Sequence, residues 1–421
     1  MGAGGTGAAT DIVTSKSVVV VGGGPAGAVL ATYLARAALE VTLVERAPAW
    51  RWRACGVFSS PATMAALRRV GLAETDLARV ARAIPAMRLE TTGGAVVRLT
   101  YGAAGAEHPT AVGFDRSALD PLLLATARAA GVDIRTGVTV RSVSLAAPGG
   151  GAELDLVGPD GATRLTARIV VGADGANSSV ARAAGVHRAT RLGRRVGLSH
   201  HLPDPRIDEL ALDGRLRVLR DGYVGIAPVP GRRVNIGIVL GRTWSAALAA
   251  RGADAVAAEI VAGIPPTDND PAPWRGSDPC ERVAGAAPLG VRVTRRAGPG
   301  WLLVGDAAGF LDPFTGEGLH RALVSAELGA SAVRAALDGP PGDGDRAMAA
   351  YERSMRRRFA TKDAVSTLVQ LFLARPALLE YAARRLAARP GVRATMGLVM
   401  GDLVPASRGL DPRFLAALLA P

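Results

Sequence analysis

The sequence predicts an α/β protein: a Rossmann-like dinucleotide-binding domain, a β-sheet domain inserted into it, and a helical C-terminal region. Three observations carry that prediction. Residues 17–46, "SVVVVGGGPAGAVLATYLARAALEVTLVER", form a strand–glycine turn–helix–strand unit that opens the chain. Two further hydrophobic strands, at 168–172 and 301–304, also run into an acidic residue among small ones, Asp174 and Asp306. Between 186 and 289 the pattern changes to strand-like pieces around one alanine-rich helix at 245–263.

Taken in order, residues 1–15 are small and polar, lack the basic start of a targeting segment, and read as a flexible tail. Residues 17–22 are a β-branched run without alternation, the mark of a strand buried on both faces. Pro25 follows where a helix tolerates a missing N–H. A helix is expected near 60–70, and a hairpin over 86–100 turning at Gly93-Gly94. Residues 115–131 read as a helix, and 138–146, 152–157 and 163–171 as a β-meander. A helix is expected at 316–338, and 344–421 is mostly helical. The expected division is a tail at 1–15, a discontinuous cofactor-binding domain at 16–85, 109–185 and 290–340, a substrate-binding sheet domain at 86–108 and 186–289, and a helical region at 341–421.

Composition narrows the function. The 421 residues carry a net charge of +13 that is almost wholly arginine, lysine standing only at Lys16 and Lys362. No arginine stripe interleaves with aromatics, so compositional bias explains the charge and nucleic acid is not an expected partner. Cys55 and Cys280 lie far apart, which gives no disulfide framework and fits a reducing, cytoplasmic setting. They form no CxxC pair and the histidines are scattered, so no metal is expected. The apolar stretch after Lys16 is too short to span a bilayer, so no transmembrane segment is expected there. The stretches 366–390 and 398–421 are amphipathic and arginine-rich; a lid or a peripheral membrane face stays open beside the simpler reading of core packing. Oligomeric state is left open.

The pattern GxGxxG occurs twice. Gly2, Gly4 and Gly7 satisfy it with no strand before and no helix after, so that match has no mechanism. Gly22, Gly24 and Gly27, with Pro25 and Ala26 among them, stand between a strand and a helix. There a tight turn, a close pyrophosphate and a bare helix N-terminus go together. Glu45, 18 residues after Gly27, ends the next strand, where an acid accepts from ribose hydroxyls. At Asp174, a ligand-facing acid and an ordinary strand–turn–helix capped by Asn177 or Ser178 are both open. The third site is "GDAAGFLDPFTGEGLHRAL", 305–323. Gly305-Asp306 ends a strand, Asp312-Pro313 makes a turn, and Gly316-Glu317-Gly318 starts a helix. That layout aims a carboxylate at a polyol hydroxyl and free N–H groups at an atom that becomes negative during reaction.

Together these three strand-end sites resemble FAD-dependent oxidoreductases of the aromatic-hydroxylase superfamily, p-hydroxybenzoate hydroxylase-like, and within it the geranylgeranyl-reductase-like branch. The likeness spans nearly the whole chain, through "GGGPAG…VER" (22–46), "ACG…SSPATMAAL" (54–67), "FDRSALD" (114–120), "GADGANSSV" (172–180), "GYVGIAPVPGRRVNIGI" (222–238) and "GDAAGFLDPFTGEG" (305–318). It implies a Rossmann-like FAD-binding domain whose Gly22 loop holds the pyrophosphate and whose Glu45 holds the adenosine ribose, with Arg46 and Arg53 in the cofactor-binding set. It further implies Arg116 along the diphosphate–ribityl side, backbone near Val140 against adenine, Asp174 in a motif supporting the cofactor, and Asp306, after Gly305, on ribityl hydroxyls. After Pro313, the N–H groups of Gly316, Gly318 and Leu319 would face the flavin N1/O2 edge, where reduced flavin is negative.

Gly309 and Glu317 stand where the hydroxylase branch usually has His and Gln, which is similar to the reductase branch. Cys55-Gly56 is similar to that branch's cysteine beside the flavin; tuning, proton relay and simple core packing are all open for it. Gly225 and Ala227 replace an aromatic pair that reductase members often carry, leaving Tyr223 as the nearby aromatic and implying a reshaped pocket. Flavin-dependent halogenases need a lysine between the halves of the flavin site, and none lies between Lys16 and Lys362. His320 follows the GEG turn, facing either pocket or solvent. The catalytic candidates are Cys55, Tyr223 and His320. With no second strand-linked GxGxxG there is no dedicated nicotinamide-binding domain, and NAD(P)H visiting the flavin cleft is the expected electron donor, with another reductant as the open alternative. The expected activity is hydride exchange at C–C bonds of an apolar small-molecule substrate, with a flavin monooxygenase and an electron-transfer or binding flavoprotein as alternatives.

Overall fold

Five parallel strands make the centre of the first sheet, in the order Asp133–Thr136, Val41–Glu45, Val13–Val21, Gly161–Gly172 and Trp301–Leu303. The computed structural model describes residues 13–102, 109–145, 151–190, 195–267, 270–340 and 342–420. Of the expected tail, residues 1–12 lie outside the described residues; Val13 already pairs with Arg164, so extended backbone begins before the expected boundary at 16. Val21 stands opposite both Val44 and Gly172, and Gly172 opposite Leu303. All these strands therefore deliver their carboxyl ends to one edge, the place where open parallel sheets bind ligands.

The valines at 18–20 are fully buried in a core built from helix side chains and from the antiparallel strands Thr139–Leu145 and Ala152–Gly158. Pro25–Arg36 contributes Val29, Leu30 and Leu34, and Gly318–Asp338 contributes Leu323, Ala326, Ala330 and Val333. Each buried leucine stabilises the fold by roughly 1.5–3 kcal/mol. The helix Asp343–Leu373 adds Met348, Tyr351, Met355 and Phe359 to the same core, and the Tyr351 hydroxyl donates to Leu303 O at 2.6 Å. The start of the C-terminal region is thus joined to the first sheet. A small sheet of Phe58–Ser59, Ala111–Phe114 and Ala81–Ile84, too short to leave a periodic signal, links the two larger ones.

The second sheet has seven strands: Ala284–Leu289, Arg195–Pro203, Arg233–Leu240, Gly222–Val229, Gly214–Leu219, Ala86–Glu90 and Val96–Thr100. Alternation sorts its faces. Val224, Ile226, Ile236 and Ile238 pack with Val256, Ala257 and Ile260 of the helix Ser245–Ala262. On the other face, Tyr223, Leu216 and Val239 pack with Phe314 of the 305–323 run. His200 falls in the helix-side phase and His201 in the other, and both are buried. The helices Pro376–Ala388, Pro390–Met400 and Pro412–Leu419 close over the edge strand Val96–Thr100, where Val97 and Leu99 meet Ala383, Leu386, Phe414 and Leu418. Covering an edge removes a template for unwanted strand pairing. No helix among the described residues is long and apolar enough to cross a membrane.

Candidate functional site

The glycine loop separates two kinds of constraint. Gly22 has φ +107, and a Cβ there would lie 2.5 Å from Ala173 O; one on Gly27 would lie 2.0 Å from Gly22 O. Those two glycines serve the protein's own close packing. Gly24 is different, since an added Cβ meets no atom within 4 Å. It is the N-cap of Pro25–Arg36 with no side-chain cap, so the helix N–H groups open onto free space. Gly318, the first residue of its helix, repeats the arrangement: no side-chain cap and nothing within 4 Å of an added Cβ.

Glu45 reaches back over the loop. Its Oε2 accepts from Gly23 N at 2.7 Å and its Oε1 from Ala47 N at 2.9 Å, leaving lone pairs on both oxygens for hydroxyl donors. Val138 N donates to Glu45 O at 3.0 Å, which brings the Thr139–Leu145 strand, with half-buried Val140, beside Glu45. Arg46 is exposed at the strand end. Asp174 Oδ2 accepts from Ser179 N at 2.6 Å and Ser179 Oγ at 2.7 Å, while its Oδ1 is buried without a partner. Ser178, not Asn177, caps the next helix, accepting from Ala181 N at 3.1 Å.

Arg116 is buried and forms a bidentate pair with Asp120, at 2.7 and 2.9 Å, while donating to Gly56 O at 3.0 Å. Burial opposes its charge, but Asp120, Cys55 and Asp306 around it hold its pKa above the ordinary value. Arg53 is exposed and reaches Asp120 at 3.5 Å. Burial raises the Cys55 thiol, Asp120 and Asp306 add to that, and Arg116 and Arg53 oppose it. Cys55 is therefore a thiol at neutral pH, not a poised thiolate. Burial likewise raises Asp306 against the pull of Arg116 and Arg321. The sequence candidates Cys55, Arg116 and Asp306 thus come together at the first sheet's carboxyl edge.

Tyr223 comes from the opposite wall. Its hydroxyl donates to Asp312 Oδ1 at 2.6 Å, and its ring meets Phe314 edge-on at 5.0 Å between centroids. Burial, then Asp312, hold its proton well above the usual tyrosine range. Asp312 Oδ1 also accepts from Phe314 N, and its Oδ2 pairs with Arg195 at 2.8 Å; Arg195 in turn donates to Gln370 at 2.7 Å. Asp312 is thus a hub joining the second sheet, the Pro313–Thr315 turn and the C-terminal helix, although its sequence signal was only that of a turn. Gly316, at φ +65, turns the chain against Phe58 and into the helix.

His320 does not join this group. It is buried on a groove between the helices Ala62–Val70, Gly318–Asp338 and Asp343–Leu373, where Nε2 accepts from Arg358 at 3.1 Å. Burial, then nearby Arg358, Lys362 and Arg69, hold its pKa down to about 4 despite Asp402. Behind the GEG turn, Lys362 lies 3.1 Å from Glu317 and 2.9 Å from Asp402, with all three side chains nearly covered. Lys362 and Asp402 carry no sequence signal because they and Glu317 become neighbours only on folding, whereas Asp120 stands four residues after Arg116 on one helix, a spacing that itself signals an ion pair.

Two uncapped helix N-termini facing open space, an acid at the second strand's end and a carboxylate at the last strand's end fit an extended dinucleotide with a polyol linker. The fold and site define an FAD-dependent oxidoreductase. The family model described as FAD binding domain matches residues 15–363, and the chain belongs to that family, within the aromatic-hydroxylase superfamily. It is 29% identical over 403 residues to a menaquinone reductase of Mycolicibacterium smegmatis, covering 93% of this chain and 92% of that one. It is 27% identical over 350 residues to digeranylgeranylglycerophospholipid reductase 2 of Methanothermobacter thermautotrophicus, covering 81% and 83%. Among solved structures it resembles CmlS, a flavin-dependent halogenase, with a TM-score of 0.77, 22% identity and coverage of 96% and 78%, a likeness of fold.

Proposed function

We propose that this enzyme reduces carbon–carbon double bonds of an apolar, isoprenoid-bearing metabolite. The observation that carries the reading is the apolar wall of Leu216, Tyr223, Val239, Met87 and Leu289 facing Phe314 on the turn that leads to Gly316–Leu319. The names of the two curated reductases support it. Bound FAD supplies hydride exchange at its N5 atom. The chain's part is to hold and enclose. The Gly22–Gly27 loop and helix N-terminus bind the pyrophosphate, Glu45 the ribose, and the Val140 strand lies along adenine. Arg116 lines the diphosphate–ribityl side, Asp306 takes ribityl hydroxyls, and the amides of Gly316, Gly318 and Leu319 receive the pyrimidine edge. Tyr223, fixed to Asp312, orients the wall and keeps its proton. In this division 16–85, 109–185 and 290–340 hold the cofactor, while 86–108 and 186–289 face the substrate. A reduced nicotinamide entering the cleft is the proposed electron donor.

The test is product mass. The yellow, FAD-loaded protein is incubated anaerobically with a menaquinone or an unsaturated prenyl lipid and a reductant. A gain of two hydrogens per double bond supports the proposal. A gain of one oxygen in air, with no anaerobic product, overturns it in favour of a monooxygenase.

A further inference from the structure

The buried group behind the GEG turn has an unbalanced charge. Glu317 and Asp402 bring two carboxylates to the single ammonium of Lys362, and each of the three is nearly inaccessible. Lys362 donates to Val399 O at 2.6 Å, so its hydrogen-bonding capacity is shared with a neutral carbonyl. Glu317 Oε1 and Asp402 Oδ2 are left buried without an aligned hydrogen bond. Asp402 is held in place by its own backbone, at φ +58 just after the helix Pro390–Met400. A buried anion without a matching cation is costly, and the ordinary remedy is to bind a proton.

The other charged and titratable groups around Glu317 do not cancel that excess. Arg321 is committed to Asp363 at 2.5 Å. His320 is neutral, with Nε2 accepting from Arg358, and Ser60 lies beside Asp402. Burial raises the Glu317 carboxyl, Lys362 and Arg321 oppose this and Asp402 adds to it. Asp402 is held below the usual range, for although burial raises it, the charge and hydrogen bond of Lys362 outweigh burial. Of the two carboxylates, Glu317 is the one placed to change state. An open groove of about 610 Å³ is lined by His320, three residues after Glu317, and brings water to that side of the helix start.

Glu317 sits between Gly316 and Gly318, whose amides face the flavin pyrimidine edge in the function proposed above, and the inference rests on that placement. We propose that Glu317, positioned by Lys362 and Asp402, takes up one proton when the bound flavin is reduced and releases it when the flavin is reoxidised. A reduced nicotinamide, or another two-electron donor, delivers two electrons and one proton as hydride, so the flavin gains one net negative charge. That charge raises the proton affinity of the adjacent carboxylate, which binds one further proton from water. When the hydride passes to one carbon of the substrate double bond, a second proton from water reaches the other carbon, the flavin's charge is gone and the carboxyl returns its own proton to water.

The test is the midpoint potential of the FAD-loaded full chain, measured spectroelectrochemically from pH 5.5 to 8.5. Each proton taken up per two electrons contributes about 30 mV per pH unit. The parent should show about 60 mV per unit over part of the range, and Glu317→Gln about 30 mV per unit throughout. A parent slope near 30 everywhere overturns the proposal. So does steepness that survives in Glu317→Gln, because it then belongs to the flavin ring itself. Should Glu317→Gln fail to fold or load FAD, Asp402→Asn is measured instead. It leaves Glu317 and Lys362 a matched pair and abolishes the steep segment, and an unchanged slope there overturns the assignment. A folded parent that takes up no FAD would instead sink the placement of the cofactor.

Discussion

Gly24 and Gly27 stand three residues apart in one loop, yet alanine at the two positions should have opposite consequences. Gly24 has φ −72 and ψ 178, a conformation open to any L-residue, and its added methyl touches no protein atom. Restricting the unfolded chain favours alanine by about 0.4–1 kcal/mol. Alanine is a poorer N-cap than glycine by a similar amount, so the terms nearly cancel. The apo-protein's Tm should then move by about 2 °C or less. The methyl does occupy the space a pyrophosphate needs beside the helix N–H groups. Losing one charge-assisted hydrogen bond costs about 1.5–3 kcal/mol, or about 10- to 100-fold in FAD affinity. Gly27→Ala places a Cβ 2.0 Å from Gly22 O, so the helix must shift, at about 1–3 kcal/mol even without cofactor. Thermal melting of the apo-proteins and titration of FAD fluorescence quenching separate the two effects. A Gly24→Ala protein that binds FAD as tightly as the parent would refute the reading of that space as the pyrophosphate cradle.

Three further outcomes are expected. Arg116→Met should cost about 3–5 kcal/mol in urea unfolding because it strands buried Asp120, and Arg116→Met with Asp120→Leu should recover much of it; equal losses in the single and double variants would count against the pair. Gly225 and Gly237 pair across adjacent strands on the Tyr223 face, and a Cβ on either meets nothing closer than 3.8 Å. Gly225→Trp should therefore fold normally while raising KM for a bulky substrate at least about 10-fold, and an unchanged KM would place the substrate elsewhere. Burial holds His200 and His320 to about 4, below the unfolded value near 6.5. The unfolded chain then binds more protons between those values, so stability is full above about pH 6.5 and falls as pH drops toward 4, by on the order of 3 kcal/mol per histidine. Urea midpoints at pH 7 and 5 should differ less in His200→Leu than in the parent, and equal differences would rule His200 out as a source.

Much of the cofactor half is legible from local sequence. A non-alternating β-branched run can be buried only between two layers, and glycine at Gly22 and Gly27 is demanded by contacts within or beside one turn. The placing of Glu45, Asp174 and Asp306 at strand ends follows from the same hydrophobic runs, and strands that are parallel in one sheet must share a carboxyl edge. Partners brought together from distant segments are another matter. Asp312 looks like a turn residue until Tyr223 and Arg195 arrive from the second sheet. His320 looks like a neighbour of the GEG turn, but helical periodicity carries its ring to the groove shared with Arg358.

The sequence by itself determined the α/β class, the βαβ opening and the glycine turns, because strand burial, helix entry and positive φ are set by neighbours a few residues away. Only the tertiary structure decided which polar groups are buried together. Tyr223 with Asp312, Lys362 between Glu317 and Asp402, and the burial of the Arg116–Asp120 helix pair beside Cys55 each depend on how separate elements dock. Electrostatic environment is a property of distance and burial, and a linear sequence specifies neither until the chain has folded.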